Sequence, residues 1–334
     1  MKIKFGFFIL IVVCVSFFQA VLCGAQPHFG PIEVRNQFPP HMFFLTPRPH
    51  SPQTLEKNGI EGSAELDYFS VYSNAASSSH RILMDMEAVV LGFRFAYGIT
   101  DGFTFSVHVP LVSMNDGFLD GPLEVFHKTF GLPNYGKEKS SQNKFSYMIK
   151  KDDQLWFDGR EGGLNLCDLT MRAKVRLLES DAFSPLDVGL TYEVKAPSGN
   201  VSYGFGSGAW DHGLFLPVKY GFKNINAYFM PGYIMLGRPR FDTADISVKD
   251  IISLFVGGEY IYSSKTNLVM QFNSYTSPFE RTGIEKLDTP SLELALGARR
   301  AFSSVLGGEI AFCEDLTDGA PDFTIHFRLN LLIK

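Results

Sequence analysis

Charged and imidazole side chains recur at every second position in several apolar stretches of the chain. In DLTMRAKVRLL they alternate with Met171, Ala173 and Val175, and in DFTIHFRLNLLIK with Ile325 and Phe327. Such spacing places them on one face of a strand, where they can pair with each other or line a passage for a solute. We predict fifteen residues of this kind to line an interior: Asp85, Glu87, Arg94, His108, Arg172, Lys174, Arg176, Glu193, Lys195, Glu259, Glu293, Arg299, Glu309, His326 and Arg328.

These residues do not form a recognisable catalytic or metal motif. The sequence contains neither G-x-S-x-G nor H-E-x-x-H. Outer-membrane phospholipases carry a Ser two residues after a His, but Pro110 stands at that position after His108 and Arg328 after His326. Ser106 and His108 share a face only because strand residues alternate. We therefore predict no catalytic residue, no cofactor and no metal ligand.

The elements that position these residues are long strands. In LGFRFAYGITDGFTFSVHVPLV, large apolar residues alternate with small or charged ones on both sides of the turn at Asp101-Gly102. Twelve such segments occur, most of 11 to 15 residues, which suits tilted strands crossing hydrocarbon. They lie near 64–74, 81–98, 101–113, 164–178, 185–197, 208–222, 226–237, 249–262, 266–276, 290–300, 304–314 and 321–334.

Short turns and longer connections alternate between these segments, which is typical of an outer-membrane barrel with both chain ends on the periplasmic side. A sheet in lipid must close to pair its edges. The predicted fold class is therefore all-β: a single antiparallel transmembrane β-barrel of about 12 strands, in the cell outer membrane of a Gram-negative bacterium, over residues 63–334. The alternative is a soluble β-sandwich, which also alternates but has shorter strands.

In one predicted strand, RILMDMEAVVLGFRFAYG, the apolar side chains change from even-numbered to odd-numbered positions. Met84 and Met86 share a face opposite Asp85 and Glu87, whereas from Leu91 onward the odd positions are apolar. A β-bulge near Ala88–Val90 would return both acids to the interior. The alternative places them above the membrane, in water.

The N-terminus indicates export. Lys2 and Lys4 precede a long apolar run, and the small residues Gly24 and Ala25 follow it, so residues 1–25 are predicted to be a signal peptide; an uncleaved anchor is the alternative. The segment 26–62 is rich in proline, which excludes a central strand. Two interpretations stay open, a plug inside the barrel and a periplasmic tail along its rim. Cys167 and Cys313 are expected to be free buried thiols rather than a bridge.

The connection 114–163 is long enough to have structure of its own. DGPLEVFHKTFGLP predicts a short helix with Asp120 at its cap, and KFSYMIKKDDQLWF predicts a hairpin around Lys151-Asp152-Asp153. This connection either folds over the barrel mouth or stands outside it.

Three stretches together, GPIEVRNQFPPHMFFL, MDMEAVVLGFRFAYGITDGFTFSVHVPLV and DGPLEVFHKTFGLPNYG, resemble the bacterial family called domain of unknown function 3187. This resemblance covers nearly the whole mature chain and implies an envelope β-barrel without assigning an activity. The hairpin more loosely resembles barrels of the long-chain fatty-acid transporter type. The chain departs from those by having fewer strands, and it ends in Ile333-Lys334 rather than in an aromatic residue.

The charges also bear on function. The net charge is −5 and no dense Lys/Arg cluster is present, which argues against a nucleic-acid partner. The expected partners are outer-membrane lipid, the barrel assembly machinery and a small solute, with hydrophobic compounds among the candidates. The favoured function is passage or binding of that solute. The alternatives are a closed structural or adhesive barrel that acts through its loops, and a lipid-modifying enzyme.

Overall fold

A computed structural model of the chain describes residues 30–117, 144–152, 154–181, 184–241 and 247–333. The predicted signal peptide (1–25) and the predicted helix that follows Asp120 lie outside these residues. None of the helices in the described ranges is long and apolar enough to span a membrane.

Sixteen strands account for most of the described chain, and every pairing between them is antiparallel. They are β1 (Ile60–Ala76), β2 (His80–Thr100), β3 (Phe103–Asn115), β4 (Ser146–Lys151), β5 (Gln154–Asp158), β6 (Asn165–Leu166), β7 (Leu169–Leu178), β8 (Leu186–Ala196), β9 (Asp211–Phe215), β10 (Val218–Phe222), β11 (Ile225–Met235), β12 (Ile251–Ser263), β13 (Thr266–Tyr275), β14 (Ser291–Ala301), β15 (Leu306–Asp315) and β16 (Phe323–Ile333). The one α-helix among the described residues, α1, is short (Glu285–Asp288).

The strands close into a barrel of twelve positions. β1 pairs with both β2 and β16, the order continues from β16 back to β7, and the β2–β3 pairing closes the ring. β9 and β10 share the position between β8 and β11, because the chain is interrupted at Leu216-Pro217 and proline cannot donate to the ladder. The predicted fold class is confirmed, with strand boundaries within a few residues for most of the barrel.

The outer face carries a belt of exposed apolar side chains, such as Phe95, Ile252, Met270 and Ile310. Below the belt, at the end where the turns are short, the exposed aromatics are Tyr97, Tyr220, Phe222, Tyr260 and Tyr262. A lipid-facing band with aromatic residues at its edge is the surface of a transmembrane barrel. We call this end the short-turn end and the opposite one the long-loop end.

The expected bulge in β2 is wrong. Residues 81–97 of β2 pair one-to-one with β1 without a register shift, so the inward positions are Met84, Met86 and Ala88 and the outward ones include Asp85 and Glu87. Neither acid faces the lumen, and neither is in water, since both are buried. Glu87 accepts a hydrogen bond from the Tyr68 hydroxyl on the same outer face. At the long-loop end of β2, the inner face therefore carries the apolar side chains and the outer face carries two buried acids.

The hairpin predicted in the long connection is present as β4 and β5. β4 extends the barrel sheet by pairing with the first residues of β2, from His80 to Asp85. The β1–β2 hairpin therefore rises above the other strands at the long-loop end, and the β4–β5 hairpin stands beside it.

Residues 30–55, which we call the luminal segment, lie inside the barrel. Gly30 contacts Arg299 near the short-turn end, the 3-10 turn Pro39–Phe43 lies at the long-loop end, and Leu55 returns to Thr104 near the short-turn end. Most of its residues are buried. Proline at seven positions of the 26–62 region prevents it from pairing as a strand, so it crosses the lumen as an irregular loop.

The interior has two parts of different polarity. At the long-loop end an apolar cap forms from Phe38, Met42, Phe43 and Phe44 of the luminal segment and from wall residues that include Phe69, Ile82, Met84, Tyr147 and Trp156. Met42, Phe43 and Phe44 of the MFFL stretch are buried in this cap. Toward the short-turn end the interior is filled with charged side chains.

Candidate functional site: the filled lumen

The luminal segment is fixed to the wall by side chains from strands all around the barrel. Asn36 Nδ2 donates to Ser291 Oγ at 2.6 Å on β14, and His41 Nδ1 lies 2.9 Å from the Tyr275 hydroxyl on β13. On the opposite wall, His50 Nε2 lies 2.9 Å from Thr191 Oγ1 on β8. These contacts run from the long-loop end to the middle of the interior and fix the path of the segment.

Inward glycines provide the space for this path. Gly189 on β8 faces the lumen, and a Cβ at this position would stand 3.1 Å from both Cα and O of Pro52. A side chain there would press directly on the luminal segment. The wall is thus shaped for the segment as well as bonded to it.

Glu33 of the luminal segment is surrounded by arginines. Its Oε2 lies 2.7 Å from Arg94 Nη1, 3.2 Å from Arg172 Nη1 and 3.7 Å from Arg328 Nη1. Burial raises the pKa of Glu33, but Arg94, Arg328 and Arg172 outweigh it and hold this pKa well below its usual value. The carboxylate is therefore ionised and neutralises cations from three strands.

A second network joins the segment to β1, β15 and β16. His326 on β16 has Nδ1 2.5 Å from Asp67 Oδ1 and Nε2 3.0 Å from Glu309 Oε1, so both ring nitrogens face carboxylates and the imidazolium form fits this place. Gln37 of the segment donates to Asp67 at 2.5 Å. Glu309 also pairs with Arg299 of β14.

A third group lies on the β1–β3 wall. Glu65 of β1 pairs with Arg48 of the luminal segment at 2.9 Å and with His108 Nε2 at 2.8 Å. His108 is thus held by a carboxylate and an arginine, and Ser106, its neighbour on the same face, makes no hydrogen bond with it among the described residues. This arrangement is a structural ion cluster.

A fourth group fixes the long-loop end of β8. Lys195 Nζ lies 2.5 Å from Asp168 Oδ2 and 3.3 Å from Asp211 Oδ2, and it donates to Ser207 Oγ at 2.8 Å. Asp211 in turn accepts from the backbone N–H of Leu45 at 2.8 Å. The lysine therefore ties the wall, the 199–209 connection and the luminal segment together.

The other predicted interior residues vary in their surroundings. Glu259 accepts hydrogen bonds from Tyr228, Asn226 and Asn267, and Arg172 Nε donates to Glu193 at 2.5 Å. Lys174 donates to the backbone carbonyls of Ser51 and Gln53, and Glu293 is buried on the inner face of β14. Arg176 lies at the rim and pairs with Glu179.

Sequence reasoning missed the partners that complete these networks. Glu33 and Arg48 come from a segment without periodicity, and no pattern located them. Glu61, Glu65 and Asp67 share one face of β1, and the alternation of that strand was the signal that could have found them.

Two histidines of the luminal segment are kept neutral. Burial lowers the pKa of His41 to about 3. Burial, together with Arg172 and Lys174, lowers the pKa of His50 well below its usual value. Both rings are buried when the segment is in place, so charging either one works against this position of the segment.

A polar cavity of about 80 Å³ remains between the segment and the wall in the short-turn half. It is lined by Glu33 and Glu61 and by the five cations Arg94, Arg172, Lys174, Arg299 and Arg328, which we call the basic ring. A cavity of this size holds only a few water molecules. Among the described residues, this cavity is far too small to serve as a passage for a solute of ordinary size.

Cys167 and Cys313 are both free and buried. Among the described residues no group of three His, Cys, Asp or Glu side chains is arranged to hold a metal ion.

Comparison with known proteins agrees with this architecture. The family model described as "Protein of unknown function (DUF3187)" matches residues 7–332. The crystal structure of the COG4313 outer membrane channel from Pseudomonas putida F1 is similar with a TM-score of 0.59 and 14% identity, over 86% of this chain and 100% of that chain. At that identity the likeness shows the fold alone.

A weaker likeness is to the P. putida toluene transporter TodX, with a TM-score of 0.34 and 11% identity over 84% of this chain and 89% of that chain. No curated protein matches the chain.

Proposed function

The chain belongs to the DUF3187 family, and from the geometry of its lumen we propose that it is a gated outer-membrane channel for a small solute. In this proposal the luminal segment is the plug that closes the channel. The observation that carries this proposal is that residues 30–55 fill the interior of a closed twelve-position barrel through contacts that each involve at least one side chain.

The size of the barrel supports a passage. A barrel of about eight strands is filled by its own wall side chains, whereas 16 to 18 strands leave an aqueous channel. Twelve positions lie between these limits. Here an additional segment occupies the space, which is a different way of closing a barrel from packing its wall residues against each other.

The manner of attachment supports movement of the segment. Within residues 30–55 no backbone-to-backbone hydrogen bond joins the segment to a barrel strand; such bonds begin only at Asn58 and Gly59, next to β1. Ion pairs and side-chain hydrogen bonds can be exchanged one at a time for contacts with water or solute. A segment paired as a strand would leave only by breaking a whole ladder.

The long connection takes part at the outer end. Phe43 at the tip of the luminal segment stacks on Tyr147 of β4 with centroids 6.5 Å apart, and Trp156 of β5 stacks on Phe279 at 6.4 Å. The hairpin thus packs on the apolar cap above the lumen. Displacing the tip of the segment requires these contacts to loosen.

The experiment is conductance in planar bilayers for the full chain and for a deletion of residues 26–55. We expect the deletion to raise conductance to a steady level and the full chain to stay closed for most of the recording. A separate deletion of 118–143 serves as a control that leaves the segment in place. Heat-modifiable mobility in gels verifies that each variant folds as a barrel.

Absence of current through a folded 26–55 deletion would exclude a channel closed by this segment. That outcome favours the closed structural barrel that acts through its loops.

A further inference from the structure

Resting on the proposed channel, we infer that the basic ring is a binding site for a small carboxylate solute, and that Glu33 of the luminal segment occupies it as a tethered stand-in for that solute. The carboxylate of an arriving solute and the Glu33 carboxylate compete for the same cations. Binding of the solute therefore frees the segment.

The ring is a built site on the wall. Its members come from four strands, Arg94 from β2, Arg172 and Lys174 from β7, Arg299 from β14 and Arg328 from β16, and they converge on one cavity. Arg172, Arg299 and Arg328 are more than nine-tenths buried, and the side chain of Arg94 is 11% exposed. Guanidinium groups bind carboxylates through paired hydrogen bonds, and rings of Arg and Lys select anions in pores.

Wall carboxylates do not neutralise this ring completely. Glu61 pairs with Arg94 at 2.6 Å, Glu193 with Arg172, and Glu309 with Arg299. Lys174 is bonded to two backbone carbonyls of the segment rather than to a carboxylate. Of the acids that line the cavity, only Glu61 belongs to the wall, so the site facing the five cations attracts an anion once Glu33 leaves.

Arg328 has unpartnered side-chain nitrogens beside this cavity. Its side chain is 3% exposed, and its Nε and Nη1 have no hydrogen-bond partner among the described residues. Its nearest acids, Glu33, Glu61 and Glu309, lie 3.7 to 3.8 Å away, outside hydrogen-bond range. Buried arginine nitrogens are costly to leave unbonded, and a carboxylate entering the adjacent cavity can satisfy them.

Glu33 has the properties of an exchangeable occupant. One of its oxygens, Oε2, receives all three arginines, with distances that lengthen from 2.7 to 3.7 Å. It belongs to the segment that must move, while its partners belong to the wall. In the closed channel the Glu33 carboxylate compensates the charge of the basic ring. At sufficient concentration the carboxylate of the solute displaces it.

The first measurement is the reversal potential of the 26–55 deletion in a salt gradient, with and without Arg328→Gln. We expect current carried mainly by anions, and a several-fold loss of that preference in Arg328→Gln. Arg328→Lys keeps the charge and should keep the preference. Arg300→Gln removes a matched arginine that lies next to Arg299 but outside the lumen, and should change nothing.

A cation preference in the folded deletion, or one unaltered by Arg328→Gln, overturns the anion site while leaving the channel intact. A folded deletion that carries no current overturns both, so the two failures are distinguishable.

The second measurement applies sodium acetate, phosphate or chloride at equal ionic strength to the full chain. Acetate should raise the open probability more than the other two, and Glu33→Gln should be open in chloride alone. Opening by phosphate but not acetate, or no difference among the three salts, contradicts the carboxylate assignment. A Glu33→Gln variant that stays closed contradicts the role of Glu33.

Discussion

At the residue scale, the interior depends on charges that are buried and paired. Lys195 is enclosed between two aspartates and a serine, and Asp211 carries the connection onward to Leu45 of the luminal segment. A buried ion pair contributes little net stability when intact, but removing one partner leaves the other charge without compensation.

We therefore predict that Lys195→Met destabilises the barrel by about 3–5 kcal/mol, because it leaves the carboxylates of Asp168 and Asp211 buried without a cation. The measurement is the urea concentration at the midpoint of unfolding in detergent, monitored by the mobility shift in gels. Lys249→Met, which removes an exposed lysine outside the strands, is the matched control and should leave the midpoint unchanged. Equal midpoints for the two variants would show that the Lys195 cluster is not a structural tie.

We predict that His41 makes the position of the luminal segment dependent on pH. Its pKa is lowered to about 3 when it is buried, compared with about 6.5 in water, so the released state binds the proton first. The stabilisation by neutral His41 is complete above about pH 6.5 and is lost as the pH falls toward 3.

We expect conductance of the full chain to rise on acidification through this window, and His41→Gln to lose that part of the rise. The measurement is open probability against pH for both chains. The difference between the two pH profiles removes the contribution of the other titrating groups. Identical pH profiles would show that His41 does not control the segment.

The inward position of most charged residues could be predicted because a strand has a strict period of two, so one assigned residue fixes the face of all the others. Glu33 and Arg48 could not be predicted, since an irregular segment assigns no face. Asp85 and Glu87 were placed wrongly because the outer face was assumed to meet lipid along the whole of β2, whereas β2 extends beyond the apolar belt.

At the element scale, the strands and their order are the part that the sequence specifies best. Long alternating runs and short turns define neighbours along the chain, and closure follows from the need to pair every edge in lipid. The exceptions have local causes: Pro217 divides one position into β9 and β10, and the β4–β5 hairpin adds to β2 above the barrel. The path of the luminal segment depends on contacts far apart in sequence, which alternation does not encode.

The fit between the wall and the segment gives a test that changes no charge. Gly189→Leu places a side chain where Pro52 lies, with a Cβ 3.1 Å from its Cα, and should push the segment out and raise conductance. Gly258→Leu on β12 is the matched control, since nothing lies within 4 Å of its Cβ position. A closed Gly189→Leu barrel that folds normally would mean that the segment tolerates displacement of Pro52 without opening.

At the scale of the whole molecule, a lipid-facing cylinder encloses an interior that is apolar at the long-loop end and charged at the other. The luminal segment contributes to both parts, through Phe43 in the apolar cap and Glu33 in the basic ring. In the proposed channel, a solute that arrives from the short-turn side meets the charges first. One from the other side must first separate the cap from the β4–β5 hairpin.

The most direct test of the account is a reversible lock between segment and wall. Asn36→Cys and Ser291→Cys, introduced into a chain with Cys167→Ala and Cys313→Ala, bring two thiols to a pair of side chains now 2.6 Å apart, where a short cleavable cross-linker can join them. Single-channel recording should show openings before cross-linking, silence while the link is intact, and recovery after cleavage. Openings that continue through a fully cross-linked barrel would show that solute passes without moving the segment, and would contradict the account.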